Sequence, residues 1–175
     1  MQNLIRLRIW CLLVPLMTSV SAHALSDVEM REQIEAHIKD RHPHADAQFW
    51  SSLGKSGGKI LRQMYSEARS TYEKIRVLES LASYDELENT RFLKSVAESE
   101  KKIILKARAM RSVGISRGLK EEKYFINMSK NSDPRIQIEA KKVLDQIRMN
   151  RKVTHDAKKK NQEQPQRVFR IEKDQ

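Results

Sequence analysis

The chain has 175 residues, with 34 Lys and Arg against 23 Asp and Glu, a formal charge of +11 and one cysteine. That length supports one modest core, and a lone Cys11 excludes an internal disulfide and a cysteine-ligated zinc site. The excess of positive charge favours anionic partners.

Residues 1–24 fall into three zones: Arg6 and Arg8, an apolar run from Ile9 to Met17, and a small-residue stretch ending Ala22-His23-Ala24. This order reads as a cleavable export signal with the cut after Ala24. A membrane span needs about 20 apolar residues, and Pro15 and Thr18 interrupt this run. Cys11 lies within the run behind Arg8-Ile9-Trp10, a context that does not suit a lipoprotein cysteine. Cleavage leaves 151 residues and, without Arg6 and Arg8, a charge of +9 and no cysteine. The mature chain is then periplasmic or secreted, where it meets anionic lipid, cell-envelope polymers and acidic proteins before nucleic acid.

The mature part reads as helices throughout, since no stretch alternates with period two. Ser26-Asp27-Val28-Glu29 is a capping box, followed by Met30, Ile34, His37 and Ile38 on one face. His42-Pro43-His44 breaks this helix. Asp46 to Leu53 reads as a short second helix with Phe49, Trp50 and Leu53, closed by Gly54 and separated from the next by Gly57-Gly58. From Lys59, a face of Ile60, Leu61, Met64, Tyr65 and Ala68 runs to Ser70, which with Glu73 caps the next helix. That helix carries Ile75, Leu78, Leu81 and Ala82, and Asp85 with Glu88 forms another capping box before Leu87, Phe92, Leu93, Val96 and Ala97. After Ser99 come Ile103, Ile104, Ala107, Met110 and Val113, stopped by Gly114 and Gly118, and then Leu119, Tyr124, Phe125 and Met128. Asp133-Pro134 starts the final helix with proline at its first position, and Ile136, Ala140, Val143, Leu144 and Ile147 form its stripe.

Helices of this length in pairs suggest repeats. Sliding Ile136, Ala140, Val143 and Ile147 back by 33 positions lands on Ile103, Ala107, Met110 and Gly114, while a shift of 34 places Leu144 on Met110 and Ile147 on Val113. The segment from Asp133 to Ile147 resembles the second helix of a HEAT repeat, or of the HEAT-like repeats of phycobilin lyases. In those an Asp-Pro turn and an arginine, here Arg135, precede an alanine-and-leucine face. Tyr72 to Tyr84 and Ser99 to Val113 look like weaker copies, with Arg76 or Lys106 at the arginine position. The resemblance covers about Lys59 to Met149 and implies an all-α, short solenoid of antiparallel helix pairs. A compact helical bundle gives nearly the same pattern and is the alternative. No lyase activity is implied, because a mature chain without cysteine lacks the thiol for tetrapyrrole attachment. The expected organisation is 1–24 signal peptide, 25–58 helices packing on the repeats, 59–149 repeats, and 150–175 a basic, mostly disordered tail.

Little points to chemistry. Gly54-Lys55-Ser56 lacks the upstream glycine of a phosphate-binding loop, with Phe49 at that position. His42, His44 and Asp46 lack a ligand set at fixed spacing, so no metal and no cofactor is expected. No serine sits in a Gly-x-Ser-x-Gly motif, and a non-catalytic scaffold for an unidentified protein partner is the leading expectation. By analogy with HEAT-like solenoids, the binding face is the second helix of each pair, with Arg76, Glu79, Arg108, Arg111, Lys142 and Gln146. The alternative is an anionic-membrane or polyanion binder through the tail cations Arg151, Lys152, Lys158, Lys159, Lys160, Arg167 and Arg170. An enzyme whose site is assembled across helices is the third reading.

Overall fold

The computed structural model describes residues 25–40 and 47–163, with side chains as far as Thr154. The expected signal segment, the His42, His44 and Asp46 group, and Arg167 and Arg170 lie outside the described residues. The described elements are all helical: α1 (Asp27–Lys39), α2 (Ala47–Ser52), α3 (Gly54–Glu67), α4 (Thr71–Leu81), α5 (Leu87–Ser99), α6 (Ile103–Arg117), a 3-10 turn over Gly118–Glu121, α7 (Glu122–Met128) and α8 (Pro134–Glu163). Among the described residues no helix is long and apolar enough to cross a membrane.

Local chemistry sets several helix starts. Ser26 Oγ accepts the Glu29 N–H at 3.3 Å while the Glu29 carboxylate accepts the Ser26 N–H at 2.9 Å. Ser70 and Glu73 repeat the exchange at 3.1 and 3.2 Å. Asp133 Oδ1 accepts the Arg135 N–H at 2.9 Å, with Pro134 the first helical residue. The capping box expected at Asp85 does not form. The N-cap position of α5 is Glu86 and has no side-chain cap. Asp85 instead accepts from Arg117 at 2.8 Å and Lys120 at 2.7 Å, two cations that outweigh one backbone N–H.

The glycines expected to break helices mostly do not. Gly54, at φ +53°, does close α2, but Gly57 and Gly58 lie within α3, which therefore begins at Gly54 rather than Lys59. They are buried where neighbouring side chains press on the helix: an added Cβ would stand 2.2 Å from Tyr84 Oη at Gly57 and 2.4 Å from Asn89 Nδ2 at Gly58. The helix expected to start at Lys59 thus starts five residues earlier. Gly114 likewise lies inside α6, and only Gly118, at φ +48°, ends it.

Successive helices pack in three hairpins, α3 with α4, α5 with α6 and α7 with α8. Across hairpins, α3 meets α5, α4 meets α6, and α6 meets α8, while α1 rests on α3 and α4. One core runs through all of them and includes Ile34, Leu61, Leu78, Leu93, Met110, Phe125 and Ala140. At the N-terminal end, His37 stacks on Phe49 at 4.6 Å and meets Trp50 edge-on at 5.0 Å, which ties α2 to α1.

The buried row of α6 is Leu105, Ala109, Met110, Ser112 and Val113, whereas Ile104 is half exposed. The spacing between the starts of α4, α6 and α8 differs as well. The N-cap positions Ser70, Lys102 and Asp133 lie 32 and 31 residues apart, not 33 or 34. Leu105 and Ala109 are the counterparts of Ile136 and Ala140, and Val77, Leu78 and Leu81 are those of Ala109, Met110 and Val113. Finally, the segment from Asn150, expected to be mostly disordered, continues α8 to Glu163. It holds no Gly or Pro before Pro165, and Arg151, Lys152, Ala157, Lys158, Lys159, Lys160, Gln162 and Glu163 are residue types that favour helix intrinsically.

Candidate functional site

With the repeats aligned at 32 and 31 residues, the expected face residues fall into two rows. One row is Arg76 on α4, Arg108 on α6 and Glu139 on α8; the other is Glu79, Arg111 and Lys142. Ion pairs run diagonally between them. Glu79 Oε1 receives Arg108 Nη1 at 2.7 Å, joining α4 to α6. One repeat along, the same two positions carry opposite charges: Arg111 donates to both Glu139 oxygens, with Nη2 at 3.1 Å from Oε2, joining α6 to α8. Arg76 Nη1 also approaches Glu79, at 3.5 Å, so that carboxylate lies between two guanidiniums.

Burial sets the outward charge of this ladder. Glu139 is buried, whereas nearly half the Arg111 side chain is exposed, so the pair shows mainly cation to solvent. The two hydrogen bonds to Glu139 hold the Arg111 guanidinium above its ordinary pKa. Arg76 Nε is buried and has no hydrogen-bond partner among the described residues. Lys142 and Gln146 are exposed. Lys142 stands where Glu79 and Arg111 stand in the preceding repeats, and among the described residues it forms no ion pair.

Beside the ladder, a groove of about 240 Å³ opens between α6 and α8. Gly114, Val143 and Ile147 form its apolar walls, and Arg111, Gln146 and Asn150 its polar edge. At Gly114, which lines the groove, Val143 Cγ1 packs so close to α6 that it would be 2.5 Å from an added Cβ. Ile115, 73% exposed, stands at its lip.

A larger cleft of about 570 Å³ lies between α1, α3 and α4. Its apolar lining is Ile38, Met64, Ala68 and Val77, and its rim has both signs of charge. Arg31 donates to Glu35 at 3.0 Å and to Glu67, Lys39 reaches Glu35 at 3.3 Å, and Glu73 is occupied in capping α4. These bonds hold Glu35 and Glu67 below the usual carboxylate range. Arg31, Lys39, Glu35 and Glu67 satisfy one another, while Arg69 on the same rim forms no ion pair among the described residues, as at Lys142.

Arg76, Glu79, Arg108, Arg111 and Lys142 stand at matching positions of α4, α6 and α8, Gln146 lines the groove with Arg111, and the structure adds Glu139, Ile115 and the α1 cleft. Glu139 was not legible, being an acid within a run of alternating charge; its burial depends on Arg111, 28 positions earlier. Of the expected tail cations, Arg151 and Lys152 are exposed on α8, and Lys158, Lys159 and Lys160 occupy helical backbone whose side chains lie outside the described set. Comparison with protein-family models, with curated proteins and with solved structures finds no match.

Proposed function

We propose that the chain is an exported, non-catalytic scaffold, a short HEAT-like solenoid whose α4, α6 and α8 face binds a protein partner. The observation that carries this reading is the diagonal ladder. Arginines already fixed by carboxylates lose little side-chain freedom on binding, and buried, well-packed arginines are common anchors of interfaces. Lys142, the next rung, faces no carboxylate of its own among the described residues, so an acidic side chain of a partner continues the series. The hairpin order, the α4 to α6 to α8 contacts and the recurring helix starts support the solenoid over the bundle. Export rests on Arg6, Arg8, the apolar run and Ala22-His23-Ala24; N-terminal sequencing of protein recovered outside the cytoplasm tests the cut after Ala24.

The face is tested by saturable capture of a partner from the envelope fraction of the exporting cell, using a chain that starts at Leu25. Lys142→Glu and Gln146→Glu are expected to lose the partner while melting at the parent temperature, because both positions are exposed. Equal capture by the variants moves the interface off this face. Absence of any saturable partner with the fold intact ends the scaffold reading.

A further inference from the structure

Helix α8 outruns its hairpin. It has 30 residues against seven in α7, or about 45 Å at about 1.5 Å per residue. Ile147 is its last buried residue, and every position from Arg148 to Thr154 is exposed. The helix therefore leaves the body near Arg148 and projects for about 20 Å more.

The projecting half has two properties that a merely solvated helix does not need. Its sequence from 148 to 163 carries Arg148, Arg151, Lys152, Lys158, Lys159 and Lys160 against Asp156 and Glu163. Arg148 is tied to Glu122 of α7 at 3.1 Å, which leaves Arg151 and Lys152 as the exposed cations without an ion pair among the described side chains. Second, Met149 and Val153, also four apart, are 68% and 69% exposed. Lys142 lies seven positions before Met149 in the same stripe, and position 160, seven after Val153, is again lysine, with Asp156 between Val153 and it. An apolar pair between cations on one helical stripe gains nothing from a soluble polyanion. It gains from a surface with negative headgroups over an apolar interior.

We infer that the projecting half of α8 lies in the interface of an anionic lipid bilayer, with Met149 and Val153 toward the acyl boundary and the flanking cations against the headgroups. Lys142 is shared with the partner face of the repeats, whereas Met149, Arg151, Lys152 and Val153 lie beyond it. The bilayer neutralises Arg151 and Lys152 and covers Met149 and Val153, the only apolar side chains among Arg148 to Thr154.

Sedimentation with phosphatidylcholine vesicles, with and without phosphatidylglycerol, tests it. The chain starts at Leu25, so that the run Ile9 to Met17 cannot itself insert while every described helix is kept. Binding is expected only with phosphatidylglycerol and should weaken steeply with salt, since exposed charges are screened within about 8 Å at physiological ionic strength. The double variant Arg151→Glu, Lys152→Glu is expected to bind about tenfold or more weakly. Met149→Ser with Val153→Ser should weaken vesicle binding and leave retention on soluble polyphosphate unchanged. All four positions are exposed, so an unchanged melting temperature confirms that the fold is intact in each variant. Equal vesicle binding by the Met149 and Val153 variant would show a general polyanion site and overturn the bilayer contact, as would binding without preference for phosphatidylglycerol.

Discussion

At Gly114 the backbone of α6 comes close enough to α8 that an added Cβ would stand 2.5 Å from Val143 Cγ1. Valine is stiff about χ1, and Val143 is itself buried, so the contact cannot relax by a small rotation. Gly114→Ala gains about 1 kcal/mol of helix propensity but forces overpacking that costs about 1–3 kcal/mol. The expected result is a lower urea midpoint with an unchanged slope. A rise would mean that α6 and α8 separate easily there. Ala140 poses the same test more severely. It has no exposed surface and belongs to the continuous core, so Ala140→Glu adds both volume and an unpaired charge to an apolar contact. Loss of soluble, cooperatively melting protein is expected; a variant as heat-stable as the parent would place Ala140 on another face.

Removing the residues after Met149 separates what α8 does inside the body from what it does beyond it. The described side chains past Ile147 are exposed, so the truncated chain should keep its melting temperature and lose helical circular-dichroism signal from the 150–163 segment. A lower melting temperature would show that the segment packs on the body. The same helix shows which features are legible from the chain alone. Its start at Asp133-Pro134 was readable, as were the boxes at Ser26 and Ser70, because each is settled within four residues. Its extension past Met149 was not, because high charge argued for disorder while propensity favoured helix. Gly57, Gly58 and Gly114 were taken for breaks because a glycine's role there is set by Tyr84, Asn89 and Val143, all more than 25 positions away. In α6, Ile103 and Ala107 form as good an apolar row as Leu105 and Ala109, and only packing against the neighbouring hairpins selects the second. How Arg76, Glu79, Arg108, Arg111 and Lys142 join depends on Glu139 and on the spacing of the helix starts, and neither is a local property.

Across the whole molecule, several carboxylates that tie separate elements together are held below their ordinary pKa. Glu67 joins α3 to Arg31 of α1. Asp85 joins the α4–α5 turn to Lys120 and Arg117. Glu100 accepts the Tyr65 hydroxyl at 2.8 Å, with Lys74 3.9 Å away. A carboxylate whose folded pKa is depressed binds fewer protons folded than unfolded, so its contribution is complete above the unfolded value and is lost as pH falls through the folded one. For Glu67 and Glu100 the ordinary value is 4.5, and for Asp85 it is 3.8. The melting temperature should therefore be level from neutrality down to about pH 5 and fall below about pH 4.5. Protonating the acids also leaves the 34 Lys and Arg unopposed, which steepens the fall at low salt. Glu100 gives the most direct check, since the hydrogen bond from Tyr65 is the largest cause of its lowered pKa. Glu100→Gln keeps an oxygen for that hydroxyl and removes the charge. The variant should melt below the parent at neutral pH, and the two curves should converge as the solution becomes acid enough to protonate Glu100 in the folded chain. Parallel curves over the whole range would show that the Glu100 charge contributes nothing to holding α3 against the α5–α6 turn.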